Sequence, residues 1–272
     1  KICKSEHIRY IHYGNTTLIK CADCEVIYNK DTSQDIEKSY YENQYSLRKN
    51  TIPLQSEIRR VSRQPEQFKL ISEIMRFKKS PANIADIGCD RGYFLDETRR
   101  FGYSVFGVEL SREARTYTNL LKLDVFDSIN DFPEGMDVIT MWHSLEHFSE
   151  PLVFLNELNI KMNTNSYIFI RVPDFGCFYS KVLKHRWKWF QPHNHYFHYT
   201  KSSLSNLLAT AGFKVIHCNS QNPSDRLTDT AFKVAKDSIK KYFGQETSLR
   251  YTLGTIYEKW TCRELYLIAK KE

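Results

Sequence analysis

An α/β fold built on a parallel sheet is what this sequence predicts, and three observations predict it. First, residues 84–109 read as strand, glycine turn, helix and strand. Ile84-Ala85-Asp86-Ile87 is a short apolar run of the kind buried on both faces of a sheet. Second, Gly88 and Gly92 bracket a tight turn, after which Phe94, Leu95, Thr98 and Phe101 recur at helical spacing up to Gly102, a natural helix stop. Third, the apolar run 104–108 ends on the acidic Glu109, which completes a βαβ unit with a carboxylate at its tip.

That unit suits a nucleoside. Glycines at the turn let a ligand lie against bare backbone, with helix amide groups aimed at it. A carboxylate ending the second strand can accept hydrogen bonds from both hydroxyls of a ribose. The spacing is G-x-x-x-G, not the G-x-G-x-x-G of a dinucleotide site, and Asp90 lies inside the turn. A negative side chain there repels pyrophosphate and attracts an ammonium or sulfonium group. Taken alone, the turn also fits any α/β protein.

Two segments carry a resemblance. Asp86-Ile87-Gly88-Cys89-Asp90-Arg91-Gly92 resembles the first motif, D-I-G-C-G-x-G, of class I S-adenosylmethionine-dependent methyltransferases, with Asp90 in place of the middle glycine. Residues 136–147, MDVITMWHSLEH, are similar to the signature D-V-I-x-x-x-x-x-L-E-H on the fourth strand of one branch, which holds quinone, sugar and other small-molecule enzymes. The resemblance runs from Cys3 to about Gly212. It implies a Rossmann-like seven-stranded methyltransferase sheet whose seventh strand, 264–269, inserts antiparallel, preceded by a small N-terminal zinc-ribbon-like module. It also implies S-adenosylmethionine as cofactor, with Asp86, Gly88, Cys89, Asp90 and Gly92 around its methionine end. Glu109 and Leu110 would then meet the ribose and Asp127 and Ser128 the adenine, while Trp142, His143 and Tyr45 complete the donor pocket. The implied acceptor is a small polar molecule, a sugar or nucleotide-linked sugar of polysaccharide or secondary metabolism.

Composition bounds the rest. With 272 residues and 41% apolar content, the chain is one α/β domain with appendages. No apolar run approaches a membrane span, and the first residues, which start at Lys1, do not read as a signal peptide. Seven cysteines, an odd number, argue for thiols and a metal in a reducing cytoplasm. A net charge of +7 admits acidic partners such as nucleotide sugars, phospholipid surfaces or RNA. The expectation is a cytoplasmic monomer or homodimer with a small-molecule acceptor; nucleic acid is not favoured, and peripheral membrane contact stays open.

In chain order, residues 1–35 form the cysteine module. Cys3 and the pair Cys21-x-x-Cys24 point to a structural zinc, since thiolate pairs on tight turns close a tetrahedral site. The fourth ligand would be a cysteine just before Lys1, or else His7; paired cysteines without a metal are the alternative. Residues 36–80 are a lid and lead-in helix. Tyr40, Tyr41 and Tyr45 either cover the cofactor, where their faces attract a sulfonium, or pack at the surface. Pro65 then opens a helix with an apolar stripe of Phe68, Ile71, Ile74 and Met75.

Residues 81–272 are the cofactor-binding domain, with an acceptor loop at 174–200 and a helical insertion at 225–260. Ser111 caps a helix ending near Leu121; 124–126 is the third strand, 137–141 the fourth and 167–172 the fifth. His143 and His147 stand four apart, on one face if that segment is helical, and His147 either takes a proton or caps the next helix. Residues 187–199 hold three histidines, His193, His195 and His198, among six aromatics with no period. That reads as a functional loop rather than core, and the resembling branch has a similar H-x-x-F segment lining its acceptor pocket. His193 or His195 is then the general base, with His147 behind them. Two alternatives are a metal site of His193, His195 and His198, which lacks an acidic or cysteine partner at suitable spacing, and a structural aromatic loop. Thr200 caps a helix burying Leu204, Leu207, Leu208 and Ala211, Gly212 ends it, and 214–218 is the sixth strand. The insertion reads as a basic amphipathic helix, touching an acidic membrane surface or the acceptor, or else solvated on the domain or packed against a partner subunit. Rival functions are an RNA methyltransferase and a non-catalytic cofactor-binding assembly subunit.

Overall fold

A computed structural model describes residues 3, 5–29, 53–221 and 263–272. Tyr40, Tyr41, Tyr45 and the insertion 225–260 lie outside the described residues.

The chain opens with antiparallel strands β1 (Ile8–Tyr13), β2 (Thr16–Cys21) and β3 (Ile27–Asn29). Helix α1 (Pro53–Phe77) follows, 25 residues long. Pro65 does not open it but lies inside it; Pro53 holds the starting position, where a missing N–H costs no helix bond. The buried stripe is also rotated from the expected one. Leu70, Ile71 and Ile74 are buried, whereas Met75 and Phe68 are exposed and Phe68 packs its edge on Phe101.

Then come β4 (Asn83–Ile87), α2 (Tyr93–Arg99), β5 (Ser104–Val108), α3 (Arg112–Leu120), β6 (Asp124–Phe126) and β7 (Met136–Trp142). After one 3-10 turn at Leu145–His147, α4 (Pro151–Lys161) leads directly into β8 (Met162–Pro173). The last elements are α5 (Phe178–Leu183), β9 (Phe197–His198), α6 (Lys201–Thr210), β10 (Phe213–Gln221) and β11 (Glu264–Lys271). Seven of these strands form one sheet in the order β10-β11-β8-β7-β4-β5-β6. Strand β11 runs antiparallel to both neighbours, and the other pairings are parallel.

Strand alternation explains why both faces are dry. Ile84, Val138 and Phe169 point into one buried cluster, while Ala85, Ile87, Ile139 and Met141 point into the other. Each of these side chains larger than alanine stabilises the fold by about 1.5–3 kcal/mol. Local signals set the helix ends. The Ser111 hydroxyl accepts the Ala114 N–H, and Thr200 with Ser203 forms a reciprocal capping box.

The segment 174–200 is not an irregular functional loop throughout. It contains α5, a 3-10 turn and β9, and β9 extends the N-terminal sheet by pairing Ile27 with His198 and Tyr28 with Phe197. Phe175, Trp187 and Phe190 share a core cluster with Tyr13, Leu18 and Ile27. Most of the aromatic composition is therefore packing, because so much ring surface needs covering and the N-terminal hairpin covers it. Among the described residues no helix is long and apolar enough to cross a membrane.

Candidate active site

One cleft of about 800 Å³ opens where β4, β5, β6 and β7 end at their carboxyl termini, the edge where α/β sheets gather ligands. Its floor is the glycine turn. Gly88 and Gly92 both have left-handed φ, +76° and +75°, and Asp90 between them has φ 50°. A Cβ on Gly88 would lie 2.9 Å from Ser144 Cβ, and one on Gly92 would lie 2.6 Å from Leu123 Cδ1. Bare backbone is thus required here by conformation and by space together.

Glu109 ties the turn to the next strand. Its Oε2 accepts the Asp90 N–H at 2.9 Å and its Oε1 accepts the Ser111 N–H at 2.8 Å. Burial raises its pKa against the pull of those amides. A carboxylate has about four lone-pair sites, so two amides leave acceptor capacity for a ligand. Asp86 is buried and accepts the Thr140 hydroxyl at 2.7 Å; burial pushes its carboxyl up to about 8, with Glu109 and Asp90 adding to the rise. The carboxyl groups of Asp90 and Glu109 on one cleft wall favour a cationic ligand over an anionic one.

Cys89 is buried and lines the cleft, and burial raises its thiol pKa. Leu110, Asp127 and Ser128 line one end, where Arg115 donates to the Glu109 and Leu110 carbonyls and pairs with Asp127 at 3.3 Å. Trp142 lines the cleft with its edge on Phe94.

His143 does not share a helical face with His147. It follows the end of β7 at φ 57°, and only a single 3-10 turn holds His147. The His143 Nε2 instead sits 3.0 Å from Glu264 Oε2, and its Nδ1 3.6 Å from Glu146 Oε1. The His147 Nδ1 lies 2.7 Å from the Asn194 carbonyl; a carbonyl only accepts, so Nδ1 carries the proton. His195 is buried beside it, ring centroids 4.9 Å apart, and lines the cleft. His193 is exposed and is not part of the cleft wall, and neither is the buried His198. Of the expected proton acceptors, the structure therefore brings His147 and His195 to the cleft and leaves His193 at the surface.

Sequence reading missed a charged network behind the cleft. Arg171 is buried between the rings of Trp142 and Tyr266 and pairs with Glu66 at 2.7 Å and Glu264 at 3.7 Å. The available signal was a lone charge in each of the runs 167–172 and 264–269, Arg171 and Glu264, since burying a charge requires a partner.

At the N-terminus, Cys3, Cys21 and Cys24 place their sulfurs within 4.8 Å of one another, with Cys3 and Cys21 at 3.3 Å. Burial opposes ionisation of Cys21, but the Cys24 and Asp23 amides and the Cys3 thiol outweigh it and bring the group to about 7. Burial pushes Cys24 up to about 12. His7 is largely exposed, lies 3.6 Å from Asp23, and is not gathered with the thiols.

The histidines make stability pH-dependent. Burial pushes His195 down to about 4 and His198 to about 3. Unfolded histidine titrates near 6.5, so below that pH the unfolded chain binds protons that the folded one refuses. Their contribution to stability is therefore lost as pH falls from about 6.5. Asp86 works in the opposite sense, from about pH 8 down to the unfolded carboxyl value of about 3.9, because its protonated folded form gains as pH falls. The expected result is that His198→Phe flattens the acid-side fall of the melting temperature relative to wild type. Parallel melting curves in the two proteins would refute it.

Comparison with known proteins follows the geometry. Residues 59–218, more than half of the chain, match the methyltransferase domain family. The chain belongs to that family. No curated protein matches the methyltransferase closely. Its fold is similar to that of a SAM-dependent methyltransferase from Archaeoglobus fulgidus, at 20% identity over 75% of this chain and 94% of that one, TM-score 0.50. It is similar to the cyclopropane synthase MmaA2 from Mycobacterium tuberculosis, at 15% identity over 75% and 84%, TM-score 0.54. It is also similar to the [4+2]-cyclase SpnF, at 17% identity over 75% and 80%, TM-score 0.50. These likenesses are of fold. The methyltransferase thus has the Rossmann-like seven-stranded sheet of its class, and a fold that also serves a cyclase leaves the acceptor open.

Proposed function

We propose that this methyltransferase uses S-adenosylmethionine to methylate a small polar acceptor, a sugar or nucleotide-linked sugar. The observation that carries the reading is that one cleft is walled by the glycine turn and its three acids and also by Glu146, His147 and His195. The donor set fits the cofactor: a turn that a Cβ would fill, a carboxylate with spare acceptor capacity, and acids suited to a sulfonium. A volume of about 800 Å³ is within the range of small-molecule sites, generous enough for a nucleoside beside a compact acceptor.

When bound, S-adenosylmethionine supplies a methyl group on an already activated sulfonium leaving group. The residues' work is therefore to position and to handle one proton. Asp86, Asp90 and the backbone at Gly88 and Gly92 hold the methionine end, Glu109 accepts from the ribose hydroxyls, and Asp127 and Ser128 meet the base. Trp142 and His143 close the side toward the acceptor. Glu146, His147 and His195 bind the acceptor and promote loss of its proton. The test is incubation with S-adenosylmethionine and a panel of nucleotide sugars, followed by mass spectrometry. Acceptor-dependent release of S-adenosylhomocysteine with a methylated sugar supports the reading; no turnover with any sugar, but turnover with RNA, would overturn the acceptor class.

We further propose that Cys3, Cys21 and Cys24 hold a structural zinc, which would fix the hairpin that β9 extends. Metal analysis of the purified protein should find zinc that Cys24→Ser loses, together with a lower melting temperature. Equal zinc content in the two proteins would count against it.

A further inference from the structure

Across the cleft from the glycine turn, one group is better built than a proton acceptor alone requires. Glu146 comes from the 3-10 turn after β7, His147 follows it, and His195 comes from the segment before β9. One ligand atom of each lies within 4.8 Å of the others. Glu146 is almost fully buried, and neither of its carboxylate oxygens has a hydrogen-bond partner among the described residues. The nearest cation-forming group is His143, whose Nδ1 is 3.6 Å from Oε1, beyond a hydrogen bond. His195 Nδ1 is likewise buried without a hydrogen-bond partner among the described residues.

A buried carboxylate and a buried ring nitrogen without donors or acceptors are costly features, and native folds retain them where something else completes them. His147 is also held as a metal ligand is held: it donates Nδ1–H to the Asn194 carbonyl, which puts its lone pair on Nε2. Glu146 and His195 are both buried and His147 half-buried, so the three donors share one largely water-excluded pocket.

We propose that Glu146, His147 and His195 form a two-histidine, one-carboxylate site for a divalent first-row transition cation, with its open positions toward the acceptor end of the cleft. Two imidazoles among three donors select iron, cobalt, nickel, copper or zinc over magnesium, calcium and manganese, which prefer oxygen. Bonds of about 2.0–2.2 Å draw the three side chains closer together than they stand here. The proposal deepens the acceptor assignment above and rests on it. An acceptor hydroxyl bound to the cation would become more acidic and give its proton to solvent water, and its oxygen would take the methyl as the S–CH3 bond breaks. Sequence spacing alone suggests His193, His195 and His198 as ligands and offers no acid; the fold replaces two of those three and supplies Glu146.

The test is titration of metal-stripped protein with cobalt(II) alone, read by visible absorption and calorimetry. Cobalt on the cysteine module shows sulfur-to-metal charge transfer, whereas cobalt on nitrogen and oxygen does not, so the two sites separate in one spectrum. Wild type should bind one equivalent without the sulfur band, displaced by zinc(II) but not by excess magnesium. In Glu146→Gln and His147→Ala that equivalent should weaken by more than about 100-fold, beyond what loss of a ligand's hydrogen-bond partner costs. S-adenosylhomocysteine binding, measured on the same samples, reports folding and the donor site independently. Intact nucleoside binding with no nitrogen-oxygen cobalt, or with cobalt affinity equal in wild type and both variants, overturns this inference and leaves the methyltransferase reading standing. Cobalt bound and lost as expected, with no nucleoside binding in wild type, supports the metal site and counts against the donor reading.

Discussion

Gly88→Ala is expected to abolish nucleoside binding and to lower the melting temperature by roughly 5–10 °C. Two effects add. The residue sits at φ +76°, where an L side chain costs about 1–2 kcal/mol. The new Cβ would also stand 2.9 Å from Ser144 Cβ. Ser144 cannot yield easily, since its hydroxyl donates to the Ile87 carbonyl at 2.6 Å and it is buried. Overpacking of this kind costs about 1–3 kcal/mol. The strain moves the turn that forms the cleft floor, so affinity for S-adenosylhomocysteine should fall by at least about 100-fold, or about 2.7 kcal/mol. Calorimetric titration and thermal melting check both halves. Wild-type affinity in Gly88→Ala would show that the ligand does not lie against this backbone.

Glu109→Ala should be nearly as severe. The carboxylate accepts two backbone amides, from Asp90 and Ser111, and leaving each orphaned costs about 1–3 kcal/mol. Alanine also removes the acceptor offered to the ribose, so nucleoside affinity is expected to drop by about 100-fold or more. Glu109→Gln separates the two roles. Its one carbonyl oxygen can still accept an amide, while its NH2 group cannot accept the other, so stability should recover in part and affinity should stay low. Equal nucleoside affinity in all three proteins would remove Glu109 from the site.

How much of this was legible in the sequence follows the range of the forces. The βαβ unit at 84–109 announces itself because buried strands and left-handed glycines are local requirements. The same holds for Ser111 and Thr200, whose caps act within one helical turn. The antiparallel seventh strand came from resemblance, and the structure places it between β8 and β10. What failed was long-range. Nothing near Trp187 says that a hairpin about 160 residues earlier covers it, so a packed aromatic cluster read as a loop with a purpose. Pro65 read as a helix start because the first turns of α1 carry no stronger local signal than a proline. The histidines show both outcomes. Their concentration drew attention to the segment, but only the fold separates His195 in the cleft wall from His193 at the surface. It also sets Glu146, some 50 residues away, against His195.

The central claim is that the turn at Gly88 and Gly92, tied by Glu109, receives a sulfonium nucleoside and not a dinucleotide. Titrating the purified protein in parallel with S-adenosylmethionine, S-adenosylhomocysteine and NAD tests it most directly. One molecule of each sulfur nucleoside should bind per chain, NAD should give no heat, and Glu109→Ala should lose the signal. Binding of NAD, or no binding of either sulfur nucleoside to the wild-type protein, would contradict it.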